Sequence, residues 1–182
     1  MESVTRYLEG GFGLPVNKEK SKVAPIKEVG FLGFQILRGK LRVSNQARDK
    51  FKKKVREMTK RNNPLSMRQI ILMVNKYLAG WVAYFSIQEF RQIFRHLDEW
   101  VRSRLRSIQL KKWKKPAKFQ RMMIRAGYTP AEARKTWVKM DRWQSVERKE
   151  VIFTLNLEWF KRQGLMFLHA YTNRALELSF TY

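Results

Sequence analysis

The apolar residues of the chain follow two different periods, and the first of them predicts a short β-hairpin. Residues 29–37 and 41–43 are apolar or β-branched runs, and the segment between them contains Gly39. Glycine readily adopts the left-handed backbone conformation that two-residue hairpin turns require. These runs therefore predict two antiparallel strands ahead of a sequence that otherwise has the periodicity of helices.

After Ser44 the apolar residues recur every three or four positions, which predicts amphipathic helices. A first helix carries Phe51 on its apolar face. A second opens at Ser66, which forms a capping box with Gln69, and a third follows residue 90. The apolar face of the second helix is broad and needs partners on both sides, and the third helix supplies one of them, so the three helices predict a small bundle.

Residues beyond the third helix predict further, shorter helices. Pro116 has no backbone N–H and interrupts the third helix, and Gly127 ends the next one. Thr129 then starts another helix, with Pro130 at its first position and Glu132 completing a capping box. The predicted fold class is therefore mainly α: a small helical bundle, preceded by a short β-hairpin and followed by a helical C-terminal region.

Charge indicates the kind of partner. The 182 residues carry 39 Lys and Arg against 15 Asp and Glu, a formal net charge of +24, which favours binding to a nucleic acid. From Trp100 through Ala131 there are ten basic residues and no acidic one. Trp113, inside "KKWKK", either stacks on a base or packs in the core. The candidate RNA-binding residues are Lys52, Lys53, Lys54, Arg56, Lys60, Arg61, Arg102, Arg104, Arg106, Lys111, Lys112, Trp113, Lys114, Lys115 and Lys118.

Other chemistries are disfavoured by what the sequence lacks. It has no cysteine, and its two histidines, His96 and His169, are too far apart in sequence to indicate a metal site. Asp49, Asp98 and Asp141 are single acids in basic helical surroundings. No P-loop, zinc-protease or hydrolase motif is present, and no apolar run is long enough to span a membrane. We predict no catalytic residue, no metal site, no cofactor in this chain and a cytoplasmic location.

Several segments, in this order along the chain, resemble group II intron reverse transcriptases, which are also called maturases. "GLPVNKEKSKV" with "VGFLGFQI" resembles the end of the polymerase palm, and "NKYLAGWVAYF" resembles the signature of the thumb, or X, maturase-specific domain. "LKKWKKPAKFQRMMIRAG" and "LNLEWFKRQGLMFLHAY" are similar to the C-terminal ends of short bacterial members without an endonuclease domain. The resemblance covers essentially the whole sequence.

The resemblance implies three regions and a set of site residues. Residues 1–44 would be a residual palm segment with a primer-grip-like hairpin, residues 45–115 the three-helix thumb domain, and residues 116–182 the basic C-terminal region. Phe31, Leu32 and Gly33 would hold the primer end, with Gly33 letting nucleic acid approach the backbone. The palm-like residues are Asn17, Lys20, Phe31, Leu32 and Gly33, with Lys20 near the incoming nucleotide. The thumb packing residues are Asn75, Gly80, Trp81, Tyr84 and Phe85, with Gly80 admitting a close helix crossing and Trp81 filling the space beside it.

The resemblance also implies that the chain binds RNA but catalyses no reaction by itself. The chain would bind structured group II intron RNA, stabilise the fold that splices, and grip template and primer. It lacks the Tyr-x-Asp-Asp turn that holds Mg²⁺ in reverse transcriptases, so we expect no polymerisation by this chain alone. Mg²⁺ is expected only in a complete polymerase or in the intron RNA.

Two alternatives remain open. The chain could be a split subunit of an RNA-directed DNA polymerase that a partner chain with fingers and catalytic palm completes. It could also be a generic basic scaffold resembling a ribosomal protein. An apolar strand whose edge invites association disfavours this second alternative.

Overall fold

The computed structural model describes residues 1–19, 21, 23–25, 30–113, 115–140 and 142–171, and only the backbone of residues 142–144. Lys20, Lys114 and Asp141 from the sequence predictions lie outside the described residues, as do residue 29 of the predicted strand and residues 172–182. The described part is mainly helical with a small antiparallel sheet near its beginning. The predicted fold class is therefore confirmed.

The elements follow one another with short connections after residue 30. Helix α1 spans Glu2–Phe12, and the sheet consists of β1 (Gly30–Phe31), β2 (Phe34–Leu37) and β3 (Lys40–Val43). The bundle helices are α2 (Asn45–Met58), α3 (Met67–Phe85) and α4 (Gln92–Lys112). The C-terminal elements are α5 (Pro116–Arg125), α6 (Pro130–Lys139), a 3-10 helix (Arg142–Glu147), α7 (Lys149–Thr154) and α8 (Leu157–Arg162).

The sheet differs from the predicted hairpin in one respect. The run predicted as a single strand is divided by a turn at Leu32 and Gly33, whose φ angles are 50° and 82°. Two consecutive left-handed residues reverse the chain direction, so β1 pairs with β2 in antiparallel register. Arg38 and Gly39 form the second turn in the same way, with φ angles of 52° and 74°. The strand order is β1-β2-β3.

Local capping explains where the helices begin. The hydroxyl of Ser44 accepts a hydrogen bond from the backbone N–H of Ala47 at the start of α2. Ser66 and Thr129 form the predicted capping boxes of α3 and α6. Pro116 lies at the first position of α5, where its missing N–H removes no intrahelical hydrogen bond. These side chains fix the helix starts from local sequence alone.

The core joins the sheet to the bundle through aromatic side chains. The ring of Trp81 lies 4.7 Å from that of Phe51 on α2, 4.6 Å from that of Phe85 and 6.0 Å from that of Phe94 on α4, measured between centroids. Phe34 of β2 lies 5.0 Å from Phe85. Because these rings come from β2, α2, α3 and α4, the sheet and the three helices share one hydrophobic core.

Helix α4 is the central element of the described part. Its residues 105–110 are all buried, because α3, the 3-10 helix and Leu155 pack around it. The described helices include none that combines the length and the apolar character needed to cross a membrane. The division of the chain at residues 44 and 115 stays a prediction.

Candidate nucleic-acid interface

A basic surface lies where α2 and α4 pack side by side, around the half-buried ring of Trp100. The guanidinium of Arg56 lies 5.3 Å from the centroid of this ring, and the ammonium of Lys52 lies 5.9 Å from it. Both distances are within the range of cation–π attraction, which orders two long side chains on the surface. We call Lys52, Arg56, Arg61, Trp100 and Arg104 the α2–α4 basic surface.

Arg104 anchors this surface at the end of α2. Its Nη2 donates a hydrogen bond of 3.0 Å to the carbonyl oxygen of Thr59, and its Nε lies 3.4 Å from the Thr59 hydroxyl. Burial lowers the pKa of Arg104, and the positive charges of Arg56 and Arg61 lower it further. Three guanidinium groups therefore repel one another here. A bound phosphate would relieve that repulsion and form charge-assisted hydrogen bonds.

The last turn of α4 holds the loop that connects α2 to α3. Lys112 donates hydrogen bonds from Nζ to the carbonyl oxygens of Leu65, at 2.6 Å, and Asn63, at 3.3 Å. Lys111 donates to the side-chain carbonyl oxygen of Asn62. These two lysines, predicted as RNA-binding residues, thus also position the loop that presents Lys60 and Arg61.

Three further residues that were predicted to bind RNA contact the C-terminal elements instead. Arg106 is 6% exposed and donates from Nε to the carbonyl oxygen of Leu155, at 3.2 Å. Arg102 lies 5.8 Å from the ring centroid of Phe167. Trp113 is 8% exposed and packs beside Phe119, with 5.9 Å between ring centroids. These contacts place them between the bundle and the C-terminal elements, whereas Lys53, Lys54, Lys60, Lys115 and Lys118 are exposed.

The turn between β1 and β2 presents two apolar side chains to solvent. Phe31 and Leu32 are 72% and 65% exposed. The hydroxyl of Tyr84 donates a 2.9 Å hydrogen bond to the carbonyl oxygen of Leu32, and its ring stacks on Phe34 at 5.7 Å. Tyr84 on α3 therefore fixes the position of the turn relative to the bundle. Asn17 is exposed in the segment before the sheet.

The two glycines of the predicted site differ in what surrounds them. A Cβ at Gly33 would lie 3.1 Å from Cζ of Phe85, so glycine is required here for packing as well as for its positive φ. At Gly80, no described atom lies within 4 Å of where a Cβ would be, apart from its own helix and chain neighbours. The close helix crossing expected at Gly80 is therefore wrong for the described part of the chain, because this residue faces solvent.

Asn75 connects α3 to the C-terminal segment. Its side-chain Nδ2 donates a 2.7 Å hydrogen bond to the carbonyl oxygen of Gly164, and its Oδ1 accepts one of 2.9 Å from the N–H of Met166. The resemblance predicted that Asn75 is a packing residue, but it did not indicate these hydrogen bonds to the C-terminal segment. Asp98 on α4 holds the next residues of the same segment and was missed as a functional side chain. Its place beside Leu97 on the apolar face of α4 was the available signal.

The described residues contain no group of three or more histidine, aspartate or glutamate side chains that could hold a metal ion. Within this part of the chain, the candidate site is therefore the positively charged α2–α4 basic surface. Arginine and lysine side chains can pair with phosphate groups, and such contacts position a protein on nucleic acid without reading sequence.

Comparison with known families identifies the segment that carries this surface. The family model of the group II intron maturase-specific domain matches residues 48–126. The matched segment runs from the first turn of α2 to the end of α5 and includes every residue of the α2–α4 basic surface. A search of the curated proteins found no match. The resemblance to a group II intron maturase is confirmed over these residues.

Proposed function

We propose that this chain, which carries the maturase-specific domain of group II introns in residues 48–126, binds structured intron RNA and helps it reach the form that splices. The cleavage and ligation steps belong to the RNA in this proposal, and the protein supplies binding energy for the correctly folded intron. The observation that carries the proposal is the coincidence of the matched segment with the α2–α4 basic surface.

The charges on this surface suit an RNA backbone. Arg56, Arg61 and Arg104 approach each other closely enough for the first two to lower the pKa of the third. Trp100 adds an aromatic ring between the two helices. RNA recognition commonly combines phosphate contacts with stacking on aromatic or guanidinium groups. An aromatic ring among arginines therefore favours RNA over a polyanion that has no bases.

We also propose that the β1–β2 turn contacts the primer strand when the chain acts with a catalytic palm. Phe31 and Leu32 project from the turn, and Tyr84 holds it through the carbonyl oxygen of Leu32. Leu32 has a positive φ, an uncommon conformation for a branched residue that costs roughly 1–2 kcal/mol. The thumb would then grip template and primer, with Mg²⁺ and nucleotide held by the palm.

A second candidate function is that of a subunit completed by a chain carrying fingers and catalytic palm. It is favoured by the apolar side chains that residues 1–25 leave exposed, which suit a protein partner. These side chains are Val4, Tyr7, Phe12, Leu14 and Val23. Primer extension by a mixture of this chain and a separate palm chain, but by neither alone, would support this candidate.

The test of the main proposal is binding by the full chain to a structured group II intron RNA and to an unrelated RNA duplex of equal length. The variant Arg56→Ala/Arg61→Ala should bind both RNAs more weakly. Each lost phosphate contact should reduce the slope of log K against log salt by roughly 0.7–0.9. The control Arg134→Ala/Lys135→Ala removes two exposed charges from α6 and should leave the slope unchanged.

A splicing assay gives the functional readout. Wild-type protein should increase the splicing rate of its intron RNA at Mg²⁺ concentrations that are too low for efficient self-splicing, and Arg56→Ala/Arg61→Ala should not. If wild-type protein binds intron RNA no better than the duplex and leaves splicing unchanged, the proposed function is wrong.

A further inference from the structure

A pocket of about 320 Å³ lies between the β1–β2 turn, the start of α2 and the middle of α3. We propose that this pocket binds one unpaired nucleotide of a nucleic-acid strand, with its base against the ring of Tyr77 and its phosphate at Lys50. The inference rests on the proposed function, because it names a second contact for the same RNA. We call this cavity the Gly33–Trp81 pocket, after two of the residues that line it.

The inner side of the pocket is aromatic. Phe51, Tyr77, Trp81 and Phe85 all line it. Their rings pack against one another, with 5.6 Å between the centroids of Phe51 and Tyr77 and 4.6 Å between those of Trp81 and Phe85. These contacts hold the rings in place before a ligand arrives, so binding immobilises few side chains. Phe51, Trp81 and Phe85 are buried, so the half-buried ring of Tyr77 is the one in this wall on which a base of any sequence can stack.

The outer side of the pocket carries polar and positive groups. Ser44, Gln46 and Lys50 line it, and none of the residues lining it in the described part of the chain is acidic. Gln46 and Lys50 are exposed, so both side chains can turn toward a ligand. An amide can hydrogen-bond the edge of a base, and an ammonium group can pair with a phosphate.

The volume and the charge together favour a nucleotide over an apolar protein side chain. About 320 Å³ is at the lower end of the range for small-molecule pockets, roughly 300–1,000 Å³, so it suits one nucleotide and not a longer fragment. A protein side chain would use the aromatic wall but leave Gln46 and Lys50 without a role. The net charge of +24 further favours an anionic ligand.

The position of the pocket relates it to the two surfaces proposed above. Gly33 lines it from the β1–β2 turn, whose tip carries Phe31 and Leu32, and Phe51 lines it from α2. A strand lying across the N-terminal half of α2 could therefore place one base in this pocket while its backbone continues toward the α2–α4 basic surface. A base can enter only if it is unpaired, so bulges, loops and strand ends are the sources that the pocket selects.

The test compares two hairpins that differ by a single bulged uridine, each made as RNA and as DNA. Wild-type protein should bind the bulged hairpin about tenfold more tightly than the fully paired one, the effect expected for stacking one base on aromatic side chains. A 4-thiouridine at the bulge should crosslink to Tyr77, located by mass spectrometry. Preference for bulged RNA over bulged DNA would assign the pocket to the intron, and equal binding would assign it to either strand of a template–primer.

Variants separate this pocket from the basic surface. Tyr77→Leu keeps an apolar side chain but removes the stacking face, and Lys50→Ala removes the phosphate partner. Both should abolish the preference for the bulge, whereas Lys76→Ala, which removes an exposed charge outside the pocket, should keep it. Thermal melting of each variant establishes that it is folded. Arg56→Ala/Arg61→Ala should weaken binding of both hairpins equally and leave their ratio unchanged.

Two outcomes would overturn the inference while leaving the proposed function intact. One is equal binding of the bulged and paired hairpins by wild-type protein that still prefers intron RNA over an unrelated duplex. The other is crosslinking confined to the α2–α4 basic surface, together with filling of the pocket by N-acetylphenylalanine amide in an NMR titration, which would assign the pocket to a protein side chain. If wild-type protein shows no preference for intron RNA over the unrelated duplex, this result counts against the proposed function instead.

Discussion

The carboxylate of Asp98 on α4 accepts hydrogen bonds from both the backbone N–H and the ring Nδ1–H of His169, at 3.1 and 2.6 Å. The backbone N–H of Leu168 donates to the same carboxylate at 2.9 Å. Asp98 is 2% exposed, so this acid lies in the interior and is paired there by groups from a segment about 70 residues further along the chain. Together with Asn75, it fastens residues 164–169 to the bundle.

We expect Asp98→Ala to detach this segment before it unfolds the bundle. The substitution leaves the buried N–H of Leu168 and the part-buried N–H of His169 without their acceptor, at a cost of roughly 1–3 kcal/mol for each group that water cannot reach. Hydrogen exchange should become faster at the amides of residues 164–169, whereas amides in the middle of α3 should change much less. The control Glu99→Ala replaces the adjacent, exposed acid on α4. Equal acceleration throughout the chain would contradict the idea of a separable attachment.

The same carboxyl group makes stability depend on pH. Burial raises the pKa of Asp98, and the hydrogen bonds from His169 and Leu168 oppose this only in part. The folded chain therefore binds this proton more tightly than the unfolded chain, in which the pKa is about 3.9. The contribution of this protonation to the free energy of unfolding is complete below about pH 3.9 and is lost as the pH rises through the raised pKa.

Urea unfolding of wild type and Asp98→Asn at several pH values measures this contribution. The variant cannot titrate at this position, so the stability of wild type relative to Asp98→Asn should fall as the pH rises from acid toward neutral. A relative stability that increases over this range would mean that the hydrogen bonds outweigh burial and that the pKa is lowered in the folded chain.

The sequence predicted those features that depend on neighbours along the chain. Ser66 with Gln69 and Thr129 with Glu132 are capping boxes because each pair is separated by three residues, a spacing that can be read directly. The turn at Gly39 was predicted for the same reason, whereas the turn at Leu32 was missed. A leucine with positive φ depends on tertiary contacts such as the hydrogen bond from Tyr84, and these do not follow from the local sequence.

The sequence indicated which basic residues could form the candidate site, but not which of them are exposed and which contact other parts of the chain. Charge alone does not distinguish Arg56, beside the Trp100 ring, from Arg106, which is buried against the Leu155 carbonyl. Both are arginines in basic helices, and the difference arises because α4 has partners on two sides. Asn75 and Asp98 act on residues 89 and 70 positions away in the sequence, so no local pattern could show their partners.

Trp81→Ala should destabilise the bundle strongly. Its ring contacts aromatic side chains of α2, α3 and α4, and emptying a large aromatic site in a core costs about 3–5 kcal/mol. The free energy of unfolding from denaturant titration measures this change. Val138→Ala is the control, because Val138 is 82% exposed and its truncation should cost less than about 0.5 kcal/mol. A small shift in stability with a large loss of RNA affinity would make Trp81 a contact residue.

Lys112→Ala should affect stability, although lysine is usually a surface residue that tolerates replacement. Its Nζ holds the carbonyl oxygens of Asn63 and Leu65, and losing these hydrogen bonds should cost about 1 kcal/mol. Lys118→Ala removes the same charge from an exposed position of α5 and should cost less than about 0.5 kcal/mol. Thermal denaturation of the two variants side by side checks the difference. If both melt like wild type, the loop does not depend on Lys112.

The two glycines of the palm-like turn and the thumb motif should respond to alanine in opposite directions. At Gly33 the backbone has a φ of 82° and a Cβ would meet Phe85 at 3.1 Å, so Gly33→Ala should cost about 2 kcal/mol or more from left-handed strain and displacement of the ring. At Gly80 the backbone is helical and the space around the new methyl group is open. Gly80→Ala should therefore stabilise the chain by about 0.5–1 kcal/mol, since alanine loses less backbone entropy in a helix. Denaturant titrations measure both changes on the same scale. Destabilisation by Gly80→Ala would indicate that a helix or a partner does approach this face of α3, and a neutral Gly33→Ala would remove the packing reason for glycine in the turn.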